Sequence, residues 1–126
     1  MKEFMLIIRN TMDHLSHLSQ EENQQFLKAC MDYIGILQDA GKLKAAQPMV
    51  KEGVIISGSD IAWKEVPFNE TRDVMVGYYH ILARDMSEAI EIAKGNPEFT
   101  YTTTARIEVR PVKMKEASTG FNYPTE

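Results

Sequence analysis

The sequence predicts an α+β domain in which one antiparallel sheet carries two helices on a single face. Three observations lead there. Two segments are apolar on both alternating faces, as strands in the middle of a sheet are. Two other stretches open on a capping signal and then repeat apolar residues at helical spacing. The order of elements is strand, helix, strand pair, strand, helix, strand, which is that of a split βαβ arrangement.

Along Glu3 to Arg9, Phe4, Leu6 and Ile8 fall on one face and Met5 and Ile7 on the other, so this strand is expected to be central. Ser19-Gln20-Glu21-Glu22 is a capping box: the Ser19 hydroxyl can accept from the Glu22 amide while the Glu22 carboxylate reaches back to the amide of Ser19. A helix follows, with Phe26, Leu27, Cys30, Met31, Ile34 and Leu37 as its apolar stripe and Gly41 as a left-handed stop. Leu43 to Val50 is short and broken by Pro48, and Lys51-Glu52-Gly53 reads as a turn before Val54-Ile55-Ile56. Gly58-Ser59-Asp60 turns the chain into a returning strand, Ile61 to Val66, which Pro67 is expected to end. Residues 67–73 then form an ordered loop. Val74 to Ala83 is bulky on both faces, with Gly77 marking a close approach of backbone or ligand. Asp85 caps a second helix whose inward stripe is Met86, Ala89, Ile90 and Ala93, stopped by Gly95 and Pro97. Ala105 to Val112 alternates, Ile107 and Val109 inward against Arg106, Glu108 and Arg110. The whole is a ferredoxin-like sandwich over residues 1–112, and the polar residues 113–126 form an appended tail carrying Phe121 and Tyr123.

A chain of 126 residues has room for one core. Its 44% hydrophobic and 25% charged residues are the balance of a water-soluble domain. Eighteen acidic against fourteen basic residues give a net charge of −4, so there is no diffuse positive field for nucleic acid. No apolar run approaches the ~20 residues that span a bilayer, so no membrane association is expected. The single cysteine, Cys30, excludes an intramolecular disulfide and fits a reducing cytoplasm.

Several strings together resemble the YCII-related family, in particular its DGPF-type branch. They are the opening MKEFMLIIR, Ala40-Gly41-Lys42-Leu43, Glu52-Gly53 with Ile56-Ser57-Gly58, and Pro67-Phe68-Asn69-Glu70-Thr71. Gly77-Tyr78-Tyr79, Ser87-Glu88-Ala89 through Lys94-Gly95, and Ile107-Glu108-Val109-Arg110-Pro111 complete them. The resemblance implies a dimeric α/β barrel in which two such sheets pack face to face, and it brings no settled activity. Where the branch has Asp-Gly before Pro-Phe, this chain has Glu65-Val66. Other members resembling it carry a His–Asp pair on the first helix; here Asp39 matches the aspartate and Cys30 fills the histidine register.

The candidate chemistry is sparse. Asp39, Glu70 and His80 are the residues that could move a proton, and Arg9, Trp63, Phe68, Arg72 and Tyr79 those that could hold a ligand. An arginine would grip a carboxylate, so an anionic ligand is one expectation. Each has a plain alternative: His80 as a satisfied core or interface histidine, Arg72 as the partner of a loop carboxylate, the aromatic rings as core. His14 and His17 lie in a polar loop outside any H-E-x-x-H context and read as solvated histidines or as contacts to a partner subunit, so no metal and no cofactor is expected. The leading functional expectation is a homodimer that binds a small organic molecule in a cavity with weak acid–base chemistry. The rival is a non-catalytic interaction module, since proteins of the resembled family occur with sigma-type transcription factors.

Overall fold

The computed structural model describes residues 1–124. Its elements are β1 (Lys2–Thr11), α1 (Gln20–Asp39), β2 (Leu43–Pro48), β3 (Glu52–Gly58), β4 (Trp63–Asn69), β5 (Asp73–Ala83), α2 (Met86–Lys94), α3 (Glu98–Tyr101) and β6 (Arg106–Pro111). Four strands form one antiparallel sheet in the order β2-β5-β1-β6. The two doubly apolar strands, β1 and β5, are the central ones, with Leu6 opposite Tyr79 and Phe4 opposite Ile81. The architecture is a ferredoxin-like α+β sandwich. Among the described residues β3 and β4 pair only with each other, as a two-stranded ribbon inserted between β2 and β5.

The helix-facing side of the sheet is the core: Phe4, Leu6, Ile8, Tyr79, Ile81 and Ala83 meet Leu37 of α1 and Ala89 and Ala93 of α2. The Ser19 capping box forms in full, with Ser19 Oγ accepting from the Glu22 amide and Glu22 Oε1 accepting from the amide of Ser19. Gly41, at φ +69°, takes the left-handed conformation that a helix stop requires.

Four expectations from the sequence need correction. The inward face of α2 is Ala89, Ala93 and the half-buried Ile92, while Met86 and Ile90 turn outward. The two alanines let the helix sit close over the sheet at Ala83, where longer side chains would hold it off. Pro67 does not end β4 but pairs opposite Val54 inside it. A ribbon of two strands leaves one edge of each unpaired, so the missing N–H is tolerated. β3 already begins at Glu52, within the stretch read as a turn, and residues 98–101 form the short helix α3. Finally, Leu27 and Met31 in the stripe of α1 stay 61% and 62% exposed, because that part of the helix overhangs a cavity instead of touching the sheet.

The open side of the sheet mixes apolar and charged groups. Met5, Ile7, Tyr78 and Leu82 share it with two ion-pair clusters. Glu3 accepts from His80 Nε2 at 2.7 Å and from Lys44 Nζ at 3.3 Å; Glu108 accepts from Arg9 Nε at 3.2 Å and Arg110 Nε at 3.0 Å. Burial pushes the Glu3 carboxyl up, but the hydrogen bonds from His80 and Lys44 together outweigh it and hold the group below its ordinary value of 4.5. Hydrogen bonds from Arg9 and Arg110 hold the Glu108 carboxyl down as well. A carboxylate lowered in the folded state contributes stability that is present above its unfolded pKa and lost as pH falls through the folded one. The urea midpoint is therefore expected to drop on acidification from neutral pH to roughly pH 3. Glu3→Gln, measured the same way, should be less stable at neutral pH and fall less steeply in acid; an unchanged acid limb in the variant would remove Glu3 from the explanation.

Candidate functional site

Between the N-terminal half of α1 and the sheet lies a cavity of about 500 Å³. Its floor is Ile8 of β1 with Val74, Val76 and Tyr79 of β5; its roof is Phe26, Leu27, Cys30, Met31 and Ile34 of α1. Along one side run Gln47 and Pro48 at the end of β2, held close because Gly77 has no side chain. The register of β1 against β5 shifts between Ile8 and Arg9, so one residue of β5, Val76, is left over opposite this point. The extra residue and the absent side chain at Gly77 help to make the hollow.

One end of this apolar space is polar and hydrogen-bonded. Asn10 continues the inward phase of Phe4, Leu6 and Ile8 and is 0% exposed. Its Nδ2 donates to Glu98 Oε1 at 2.9 Å and to Thr102 Oγ1 at 3.0 Å. Its Oδ1 accepts from Thr104 Oγ1 at 2.6 Å and the Thr11 amide at 2.8 Å. Glu98 is 3% exposed and sits at the start of α3, where its amide donates to Asn96 Oδ1 at 2.8 Å. His14 completes the group: its Nε2 lies 3.1 Å from Glu98 Oε1, and its Nδ1 lies 2.7 Å from the carbonyl oxygen of Thr11. Glu98 Oε2 accepts from no group among the described residues, and the carboxyl lines the cavity.

Two weaker acids share this space. Burial, then the charge of Glu98, pushes the Cys30 thiol up to about 11. Burial, then Cys30 and Glu98, pushes the Tyr79 hydroxyl up to about 12. Both keep their protons at neutral pH. Cys30 is accordingly expected to react slowly with a disulfide reagent in the native protein near pH 8 and at the ordinary rate once unfolded in urea, because only the thiolate attacks. Equal rates in the two states would contradict the burial of this thiol.

Of the eight residues singled out in the sequence, only Tyr79 lines the cavity. Arg9 and His80 are engaged on the opposite side of the sheet, with Glu108 and Glu3. Glu70 closes the turn into β5, its Oε1 accepting from the Met75 amide at 3.0 Å. Arg72 and Asp39 are exposed, and Trp63 and Phe68 lie on the ribbon. Arg72 makes no salt bridge with a loop carboxylate among the described residues. His14 overturns its reading as a solvated loop histidine, since its side chain is 13% exposed and turned toward Glu98. Glu98, Asn10 and His14 were missed as a group. The signal available was Asn10, a polar residue standing in the inward phase of an apolar strand.

No group of three or more His, Cys, Asp or Glu among the described residues is arranged to hold a metal ion, and no helix among them is long and apolar enough to cross a membrane. A family model described as the YCII-related domain matches residues 2–113, which include every residue of the cavity and its polar end. A search of curated proteins returned no match.

Proposed function

The chain belongs to the YCII-related family, and on that premise we propose that it binds a small organic molecule in the cavity under α1, where Glu98 and His14 exchange a proton with it. The observation that carries this reading is a buried carboxyl at the end of an apolar hollow, with one oxygen free of protein donors and the other shared by Asn10 and His14. Cavities of this size and lining are what small ligands occupy. A proton between two groups of unlike kind at the end of an apolar hollow is an arrangement suited to general acid–base chemistry. Asp39, Glu70 and His80 do not line this space. The test is a thermal-shift screen of small aromatic and alicyclic molecules on the wild type and on Met31→Trp. Met31 is an exposed lining residue, so the variant should fold while its ring fills the space. Hits that stabilise the wild type and not Met31→Trp are expected; hits that stabilise both equally would place binding elsewhere.

The reading includes a homodimer in a reducing compartment such as the cytoplasm. Its support is the open side of the sheet, where Met5, Ile7, Tyr78 and Leu82 have no layer of the chain's own helices over them. Light scattering should return twice the 14.4 kDa of the chain; the monomer mass at micromolar concentration would contradict it.

The ribbon favours a second reading, that of a non-catalytic module that docks another protein. Ile61 and Trp63 are 92% and 65% exposed, and Val54, Ile55 and Ile56 are exposed beside them. A two-stranded ribbon of this composition is marginal alone and gains by being covered. A screen without hits in the cavity, together with a ribbon that becomes protected from hydrogen exchange when a partner is added, would favour this second reading.

A further inference from the structure

We infer that the molecule bound in this cavity carries a hydrogen-bond donor, an amino or hydroxyl group, on an apolar body, and that carboxylate-headed molecules are turned away. The inference rests on the ligand-binding reading and adds the class of ligand.

It follows from counting hydrogens at the polar end. A carbonyl oxygen only accepts, so His14 Nδ1, 2.7 Å from the oxygen of Thr11, carries a hydrogen. Asn10 Nδ2, also bonded to Thr102, donates to Glu98 Oε1. Between His14 Nε2 and Glu98 Oε1, 3.1 Å apart, there is room for one proton. It is either on the nitrogen, giving imidazolium and carboxylate, or on Oε1, giving a neutral imidazole and a carboxylic acid. In both arrangements Oε2 has no hydrogen and is an acceptor. Placing a hydrogen on Oε2 instead would either face two lone pairs across that distance or require a second proton on the pair. The group that satisfies Oε2 must therefore bring its own hydrogen.

The walls supply the rest of the specificity. The rest of the lining includes Leu15, Phe26, Ile34, Val74 and Val76, which favour an apolar body. Lys51, exposed, is the one lysine or arginine in the lining among the described residues, so a carboxylate head placed against Glu98 Oε2 would set acceptor against acceptor with no arginine to bridge them. Met12, Met31, Met49 and Met75 also line the space, and unbranched thioethers adapt to bodies of different shape. Specificity thus resides in the head group more than in the outline of the body.

The experiment titrates the full-length chain with four compounds of one shape: phenethylamine, phenethyl alcohol, ethylbenzene and hydrocinnamate. Phenethylamine and phenethyl alcohol should bind at least about tenfold more tightly than hydrocinnamate, with ethylbenzene between them. In Glu98→Gln the amide oxygen stays toward Asn10 Nδ2, which requires a hydrogen on His14 Nε2 as well, and the amide nitrogen takes the place of Oε2 as a donor. The order of the charged pair should then reverse, hydrocinnamate binding more tightly than phenethylamine. Hydrocinnamate binding to the wild type as well as phenethylamine does, or ethylbenzene binding equally to both, would overturn the inference and leave the cavity reading standing. Failure of all four to bind the wild type would bring down the cavity reading and the inference with it. If Glu98→Gln does not fold, the wild-type series decides alone.

Discussion

Glu98→Ala should lower the unfolding free energy by about 3–4 kcal/mol, one of the largest losses available to a single polar residue here. The carboxyl is 3% exposed and is the acceptor for Asn10 Nδ2 and the partner of His14 Nε2. Its removal leaves both groups facing a hole. An unsatisfied buried polar group costs about 1–3 kcal/mol, and two lose their partner at once, about 2–6 kcal/mol together. Thr102 still accepts from Asn10 at 3.0 Å, which keeps the sum toward the middle of that range. Glu98→Gln retains the acceptor for Asn10 and should lose less than half as much. Urea unfolding followed by Trp63 fluorescence and by circular dichroism measures both variants. A loss below about 1 kcal/mol for alanine would mean that water replaces the carboxyl freely and that the end of the cavity is wet.

The fold was legible because local chemistry and global packing agree along most of the chain. β1 and β5 announce their central place through bulky residues in both phases, and Ser19 and Glu22 announce the start of α1. Where reading failed, a longer-range condition decided. Met86 and Ile90 look inward by periodicity alone, but the sheet at Ala83 admits only the alanines of α2. Pro67 ends a strand in a sheet and not in a free ribbon, and nothing local says that β3 and β4 will stand apart from the other strands. The site was less legible still. Glu98 and His14 are 84 residues apart in sequence numbering, one in a loop and one on a single-turn helix, and neither stands in a periodic segment. His80 drew attention within an apolar strand and Arg9 at the end of one, yet the pleat sends both to the face opposite the cavity. Only the parity of Asn10, in phase with Leu6 and Ile8, pointed to the buried polar end.

Gly77→Ala is expected to destabilise by about 2–3 kcal/mol and to disturb the cavity, although it adds a single methyl group. A Cβ at this position would stand 2.5 Å from the backbone oxygen of Gln47 and 2.9 Å from Cα of Pro48. Both contacts are with main chain, so no side-chain rotation relieves them, and the end of β2 has to move away from β5. That movement strains the Met49 amide bond to the Val76 oxygen, 2.9 Å long, and shifts Gln47 and Pro48, which form one wall of the cavity. The same chemical change at Gly35, in the C-terminal part of α1, meets nothing within 4 Å. There it should stabilise by about 0.5–1 kcal/mol, since alanine loses less backbone entropy in a helix. The pair separates crowding from propensity: one methyl group, two glycines, opposite signs. Urea midpoints for the two variants, with hydrogen exchange at the Met49 amide, measure it. If Gly77→Ala proves neutral and leaves that amide protected, β2 yields without cost and the close approach at Gly77 does not set the wall of the site.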